Sequence, residues 1–217
     1  MRNLYIYCEG QTEESFINKV LYPYLFNIEI CAIPIICATK RTKIEKIKGG
    51  VSNYQKIRSE LMILCKQHKN EMLTTMFDYY GMPDNTPGIQ DISGNLYEKV
   101  TRIERAIEKD IDMPNLFFNL IVHEFEGLLF TEISAFQDIT DNATVTRLQK
   151  IKDGFDSPEH INNSIDTAPS KRIELLIPSY AKVLNGTIIS ERIGIDAIVE
   201  QCQHFRDWVI KIKGLAK

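Results

Sequence analysis

Apolar residues come in short blocks along this chain, and the spacing inside the blocks is of two kinds. Residues 3–8 (NLYIYC), 29–38 (EICAIPIICA), 73–81 (LTTMFDYYG) and 116–122 are compact apolar runs rich in β-branched and aromatic side chains. Runs of that length, stopped by Gly, Pro, Asp or Glu, predict buried strands. Pro34 marks the second run as an edge strand or a bulge, because proline cannot donate to a ladder. Elsewhere the apolar positions recur with helical spacing. Phe16, Val20, Leu21, Tyr24 and Leu25 share one face of a helix that Thr12 would cap and Pro23 would kink or end. Glu13 and Glu14 fall in its first turn, where the helix dipole favours anions. Further helices are predicted over 51–71, with Tyr54, Ile57, Leu61, Ile63, Leu64 and Cys65 as apolar positions, and over 96–109, with Val100, Ile103 and Ile107 inward. A helix over 125–136 follows, and a mostly helical remainder is broken by loops at 153–170 and 185–191.

Strands alternating with helices predict an α/β fold with a mostly parallel sheet flanked by helices. The expected division is an α/β core over 1–136 and a mainly helical extension over 137–217 packed on it. In such sheets sites form at the carboxyl ends of strands. That rule singles out Glu9, Asp78 and the stretch His123 to Glu126.

Glu9, Glu13, Asp78, Glu124 and Glu126 are all oxygen donors of the kind hard divalent cations need. Phosphodiester chemistry uses such ions to activate water and neutralise a leaving oxygen. The bland alternative is that strands end in polar residues and that Glu13 is an ordinary helix-start acid. Glu124 and Glu126 face one way if the chain there is extended and diverge if the helix has begun. His123 is a candidate general base or ligand, or else a hydrogen-bonded structural residue. Lys171 and Arg172 follow Pro169-Ser170 at a helix start, where a guanidinium and a helix terminus would hold a phosphate. The basic loop with Lys40, Arg41, Lys43, Lys46 and Lys48 would track a phosphate backbone or simply be solvated. Cys65 with His68 and Cys202 with His204 could be assembled into a Cys₂His₂ zinc site, but both pairs lie in helical patterns with apolar neighbours and the second spacing is too short for a finger. No Walker A, GxSxG or GxGxxG sequence occurs, which disfavours an internal nucleotide-driven motor or an α/β-hydrolase.

At 217 residues and 44% hydrophobic the chain can bury a substantial core. A net charge of −3 exerts no global pull on nucleic acid, so such contact needs a local basic patch or metal ions. Five cysteines with no CxxC pair fit a reducing cytosol. The absence of a signal-peptide pattern or a long apolar run makes a cytoplasmic protein that does not cross a membrane the expectation.

Five ordered blocks, CEGQTEESFI (8–17), FDYYGMP (77–83), HEFEGLLF (123–130), PSKRI (169–173) and ISERIGIDAIVEQCQHFRDW (189–208), resemble a Toprim-like family of bacterial proteins, the domain-of-unknown-function family 4276. The resemblance implies a Toprim-like (Rossmann-like) core. Toprim domains place a glutamate after the first strand and an Asp-x-Asp after a later one, binding Mg²⁺ to make or break phosphodiesters. By resemblance Glu9 matches the glutamate and Asp78 the first aspartate. Tyr80 stands where the second aspartate is expected, so Glu124, Glu126 or Asp84 would complete the site. The resemblance thus implies a Mg²⁺- or Mn²⁺-dependent nuclease with Glu9, Asp78 and Glu124 or Glu126 on the metal. Glu13 would sit behind it or on a second ion, and Lys171 and Arg172 on a DNA phosphate. It also implies an ABC- or AAA-type ATPase partner in an anti-phage defence module. Two alternatives stand beside it: an interaction module that keeps the fold without catalysis, and a phosphohydrolase of small nucleotides screened by the acidic loop 82–94.

Overall fold

The computed structural model describes residues 1–37, 53–162 and 167–216. The basic loop with Lys40, Arg41, Lys43, Lys46 and Lys48 lies outside the described residues. Strand β1 (Arg2–Cys8) is central. It pairs in parallel with β2 (Ile30–Ile36) on one side and β3 (Met72–Asp78) on the other. Two short strands, β4 (Leu116–Phe117) and β5 (Leu120–Ile121), both pair in parallel with β3, along its first and last residues. The sheet is therefore wholly parallel among the described residues, with β2 at an edge, where Pro34 needs no ladder partner for its nitrogen.

Helices cover both faces, because the chain steps one way from β1 to β2 and then back across β1 to β3. Right-handed crossovers in opposite directions place their helices on opposite sides. The first crossover is α1 (Gln11–Phe16), a π-helical segment (Ile17–Leu21) and α2 (Tyr22–Phe26). The second is α3 (Tyr54–Gln67), and α4 (Leu96–Ile111) leads from β3 to β4. Side chains alternate accordingly. Leu4, Ile6 and Cys8 of β1 join the core under α1, and Tyr7 joins the core under α3 and α4 with Leu73 and Phe77 of β3.

The remaining helices are α5 (Glu126–Leu129), α6 (Asn142–Lys152), α7 (Pro169–Leu176), α8 (Lys182–Ile193), α9 (Ile195–Gln201) and α10 (Gln203–Lys213). They build onto the α1 face and share its core. A chain of edge-on aromatic contacts ties them down: Phe125 to Phe16 at 5.3 Å, Phe16 to Phe205 at 6.1 Å and Phe205 to Trp208 at 5.5 Å. Trp208 closes the chain by donating its indole N–H to Thr74 of β3 at 2.9 Å.

Several expectations need correction. Gly10, not Thr12, caps α1, since the Glu13 carboxylate accepts the Gly10 amide at 2.7 Å. The helix expected over 51–71 runs only from Tyr54 to Gln67. The helix expected over 125–136 is the single turn of α5 followed by a 3₁₀ segment (Ile133–Asp138). Residues 185–191, expected as a loop, lie inside α8. The run 116–122 is two strands, because Phe118 and Asn119 turn their amides to the Glu108 carboxylate and the Thr75 hydroxyl. The cysteine–histidine pairs bind other groups: His68 stacks on Tyr5, and His204 bonds Glu104. No disulfide joins any of the five cysteines.

Candidate functional site

The winding direction reverses between β1 and β3, and in sheets of this kind the carboxyl ends of the strands at such a switch point are the usual place for a ligand. Glu9 follows β1 and Asp78 ends β3. The Asp78 amide donates to Glu9 Oε2 at 3.2 Å, so the two strand ends are joined through the glutamate. Gly81 allows this: a Cβ there would lie 2.9 Å from Glu9 Oε2, closer than side chains tolerate. The Phe125 amide in turn donates to Asp78 Oδ1 at 2.9 Å, which pins the segment after β5 to the end of β3.

That segment carries the two glutamates, and they diverge. His123 takes a left-handed backbone conformation (φ 60°), a sharp corner between β5 and α5. Glu124 lies before α5 and accepts from the Ser170 amide in the first turn of α7, at 3.1 Å. Glu126 begins α5, is almost fully buried, and pairs with Lys182 at 3.3 Å. Lys182 comes from the first turn of α8, which packs on α1 where Gly186 admits Thr12, Phe125 and Tyr180. It was missed in the sequence because nothing in the helical second half marks one lysine over another.

Crowded acids govern the electrostatics. Burial, and then the carboxylates of Glu13, Glu126 and Glu124, push Asp78 well above the usual carboxylate range. Glu13 is pushed up to about 6, chiefly by burial, against the amides that bond it. Glu126 is raised by burial, with Lys182 pulling the other way. Burial opposes the charge on Lys182, yet Glu126 and Glu124 hold its ammonium above the ordinary lysine value. His123 is depressed to about 4 by burial and by the charges of His160 and Lys99, so it is neutral near pH 7. Its ring lies 5.0 Å from that of Tyr80, the residue at the second aspartate position, and its carbonyl accepts from the Tyr80 amide.

Lys171 and Arg172 stand on the first turn of α7 beside Ser170, but with partners of their own. Lys171 pairs with Glu174 at 2.8 Å, and Arg172 donates to the Thr167 carbonyl at 2.7 Å while lying over the Phe155 ring. A larger cleft of about 850 Å³ runs between α4 and α10, lined by Tyr97, Arg105 and His204 among others. It contains none of the strand-end acids, so converging chemistry rather than size marks the candidate site.

The donor set suits a hard divalent cation. It is made wholly of carboxylate oxygens, their mutual repulsion is what a cation relieves, and the buried Tyr180 hydroxyl near Glu126 has no partner. Among the described residues no group of three or more His, Cys, Asp or Glu side chains is gathered as a ready-made metal cage. Mg²⁺ does not require one, since it commonly takes one or two protein carboxylates, with waters and substrate phosphates as its other ligands.

A parallel α/β domain with acidic residues at its switch point is the class that this geometry defines. The model of one family, described as a domain of unknown function (DUF4276), matches residues 8–213, and the chain belongs to that family. No curated protein matches it. Among solved structures, the C-terminal region of the Burkholderia pseudomallei OLD protein is similar at 16% identity and a TM-score of 0.48, covering 99% of this chain and 98% of that one. The C-terminal region of the Xanthomonas campestris pv. campestris OLD protein is similar at 15% identity and a TM-score of 0.37, covering 100% and 98%. Similarity at this level carries no residue roles. No helix among the described residues is long and apolar enough to cross a membrane.

Proposed function

We propose that the protein is a divalent-metal-dependent nuclease of Toprim type. The observation that carries this reading is the meeting of Glu9 and Asp78 at the switch point, joined by the Asp78 amide and ringed by Glu13, Glu124 and Glu126. Glu9 and Asp78 would hold Mg²⁺ or Mn²⁺, with Glu124 or Glu126 completing the set. When bound, the ion supplies Lewis-acid activation of water and neutralises charge on the leaving oxygen of a phosphodiester.

The protein's own residues do the rest. The Phe125 amide fixes the Asp78 carboxylate, and the close approach of Gly81 fixes that of Glu9. Glu13 holds the Gly10 turn that follows Glu9. Lys171 and Arg172, on the helix whose Ser170 amide reaches Glu124, are the candidates for a DNA phosphate. Such contact would draw them from Glu174 and Thr167. His123 is neutral, with its ring tilted against that of Tyr80, which suits shape beside the site better than proton transfer. The resemblance to defence-associated Toprim proteins supports an ATPase partner.

Plasmid nicking tests the reading. Supercoiled DNA should relax with Mn²⁺ or Mg²⁺ and not with EDTA, and Glu9→Gln and Asp78→Asn should each lower the rate by about 100-fold or more, as loss of a group that stabilises transition-state charge does. Cleavage unaltered in both variants would remove these residues from the site. Tyr80 in place of an acid favours a second reading, a non-catalytic interaction module. Folded protein that nicks no DNA with either metal would support it.

A further inference from the structure

Glu126 is about 3% exposed, yet its partner Lys182 reaches it from an exposed position at the start of α8, with its side chain 45% exposed. A buried carboxylate in a crowd of carboxylates is costly unless a cation meets it. Here a long, flexible arm brings that cation from outside. Lys182 also feels Glu124 and Glu174, so it lies in the field of three carboxylates rather than in an isolated pair. Its ammonium pairs with Glu126 at 3.3 Å, while the stem remains open to solvent on the α8 side. An ammonium is a compact, strongly hydrated point charge on a flexible stem.

We propose that Lys182 is a tethered counter-cation that holds the place of the divalent ion at Glu126 and competes with it, so that this lysine sets the metal affinity of the site. The proposal rests on the metal reading above and adds to it the residue that tunes it. In the absence of metal, Lys182 neutralises part of the cluster and keeps the ends of α5, α7 and α8 together. A doubly charged ion at Glu126 would compete with this single charge for the same carboxylate.

Mn²⁺ titration by calorimetry on the full chain tests this, with wild type, Lys182→Met and Lys182→Arg, alongside melting in EDTA and in Mn²⁺. Met keeps the apolar stem and removes the charge at a largely exposed position. Lys182→Met should bind Mn²⁺ about 10-fold more tightly than wild type, a difference of about 1.4 kcal/mol. It should also melt lower in EDTA and gain more from Mn²⁺. Lys182→Arg should stay near wild type. Mn²⁺ binding by Lys182→Met that equals or falls below wild type would overturn the proposal while leaving the metal reading intact. Failure of all three proteins to bind Mn²⁺ would overturn both.

Discussion

Glu13 holds its proton more tightly in the folded chain than in the unfolded one, because burial lifts its carboxyl from 4.5 to about 6. Between those values the folded protein retains a proton that the unfolded chain has released. This contribution to stability is therefore full below pH 4.5 and is lost as pH rises through about 6, a change of about 2 kcal/mol. Asp78 acts with the same sign. Glu13→Gln can still accept the Gly10 amide but carries no charge. Urea unfolding should show it more stable than wild type by about 1–2 kcal/mol at pH 7, with less loss of stability between pH 4.5 and 6. An unchanged pH profile would assign the effect elsewhere. Glu9 and Asp78 were legible in the sequence because each ends an apolar run, and strand ends point to sites in parallel sheets. Lys182 was not, since its importance comes from a contact between α8 and α5 that no local pattern encodes. Lys171 and Arg172 were marked by a helix start, but their resting partners, Glu174 and Thr167, depend on tertiary placement.

The interrupted edge of the sheet shows how one element protects another. After β4 the chain leaves the ladder for two residues, and their amides go to Glu108 of α4 (from Phe118) and to the Thr75 hydroxyl of β3 (from Asn119), each at 2.8 Å. Where β5 begins, Glu104 of α4 accepts from Leu120 at 2.8 Å. Glu104 also bonds the His204 ring at 2.8 Å, which fastens α10 to the same edge. An edge covered in this way offers no row of open groups for another chain to pair with. Glu104→Ala would leave a buried amide and an imidazole without their acceptor, so it should cost roughly 2–4 kcal/mol in urea denaturation. A cost below about 0.5 kcal/mol, the level of an ordinary surface change, would contradict the role. The sequence pattern shows 116–122 as one apolar run because the break is made by distant side chains, not by a Gly or Pro within it. Gly186 misleads in the other direction. It reads as a breaker, yet it is helical, since a Cβ there would lie 3.3 Å from the Tyr180 hydroxyl and 3.4 Å from Phe125.

Across the whole molecule, the second half of the chain completes the first. The expected α/β core over 1–136 contains the sheet, but its α1 face is covered by residues that come later, with Trp208 and Phe205 fully buried against Phe16 and Thr74. Alternation of strands and helices made the parallel sheet legible. The packing of five short helices on one face was not, because amphipathic helices can cover the same surface in many arrangements. The functional consequence lies at the switch point. Glu9 and Asp78 meet because β1 and β3 are neighbours, Glu124 and Glu126 arrive with β5, and Lys182 comes from the appended helices. The most direct test of this convergence is a crystal structure of the protein soaked in Mn²⁺, with anomalous scattering locating the ion. The account predicts one Mn²⁺ at the switch point, with carboxylate oxygens of Glu9 and Asp78 at about 2.0–2.2 Å, the range of hard cations of this size. A saturating soak that leaves the switch point without Mn²⁺, or places the ion away from both residues, would contradict it.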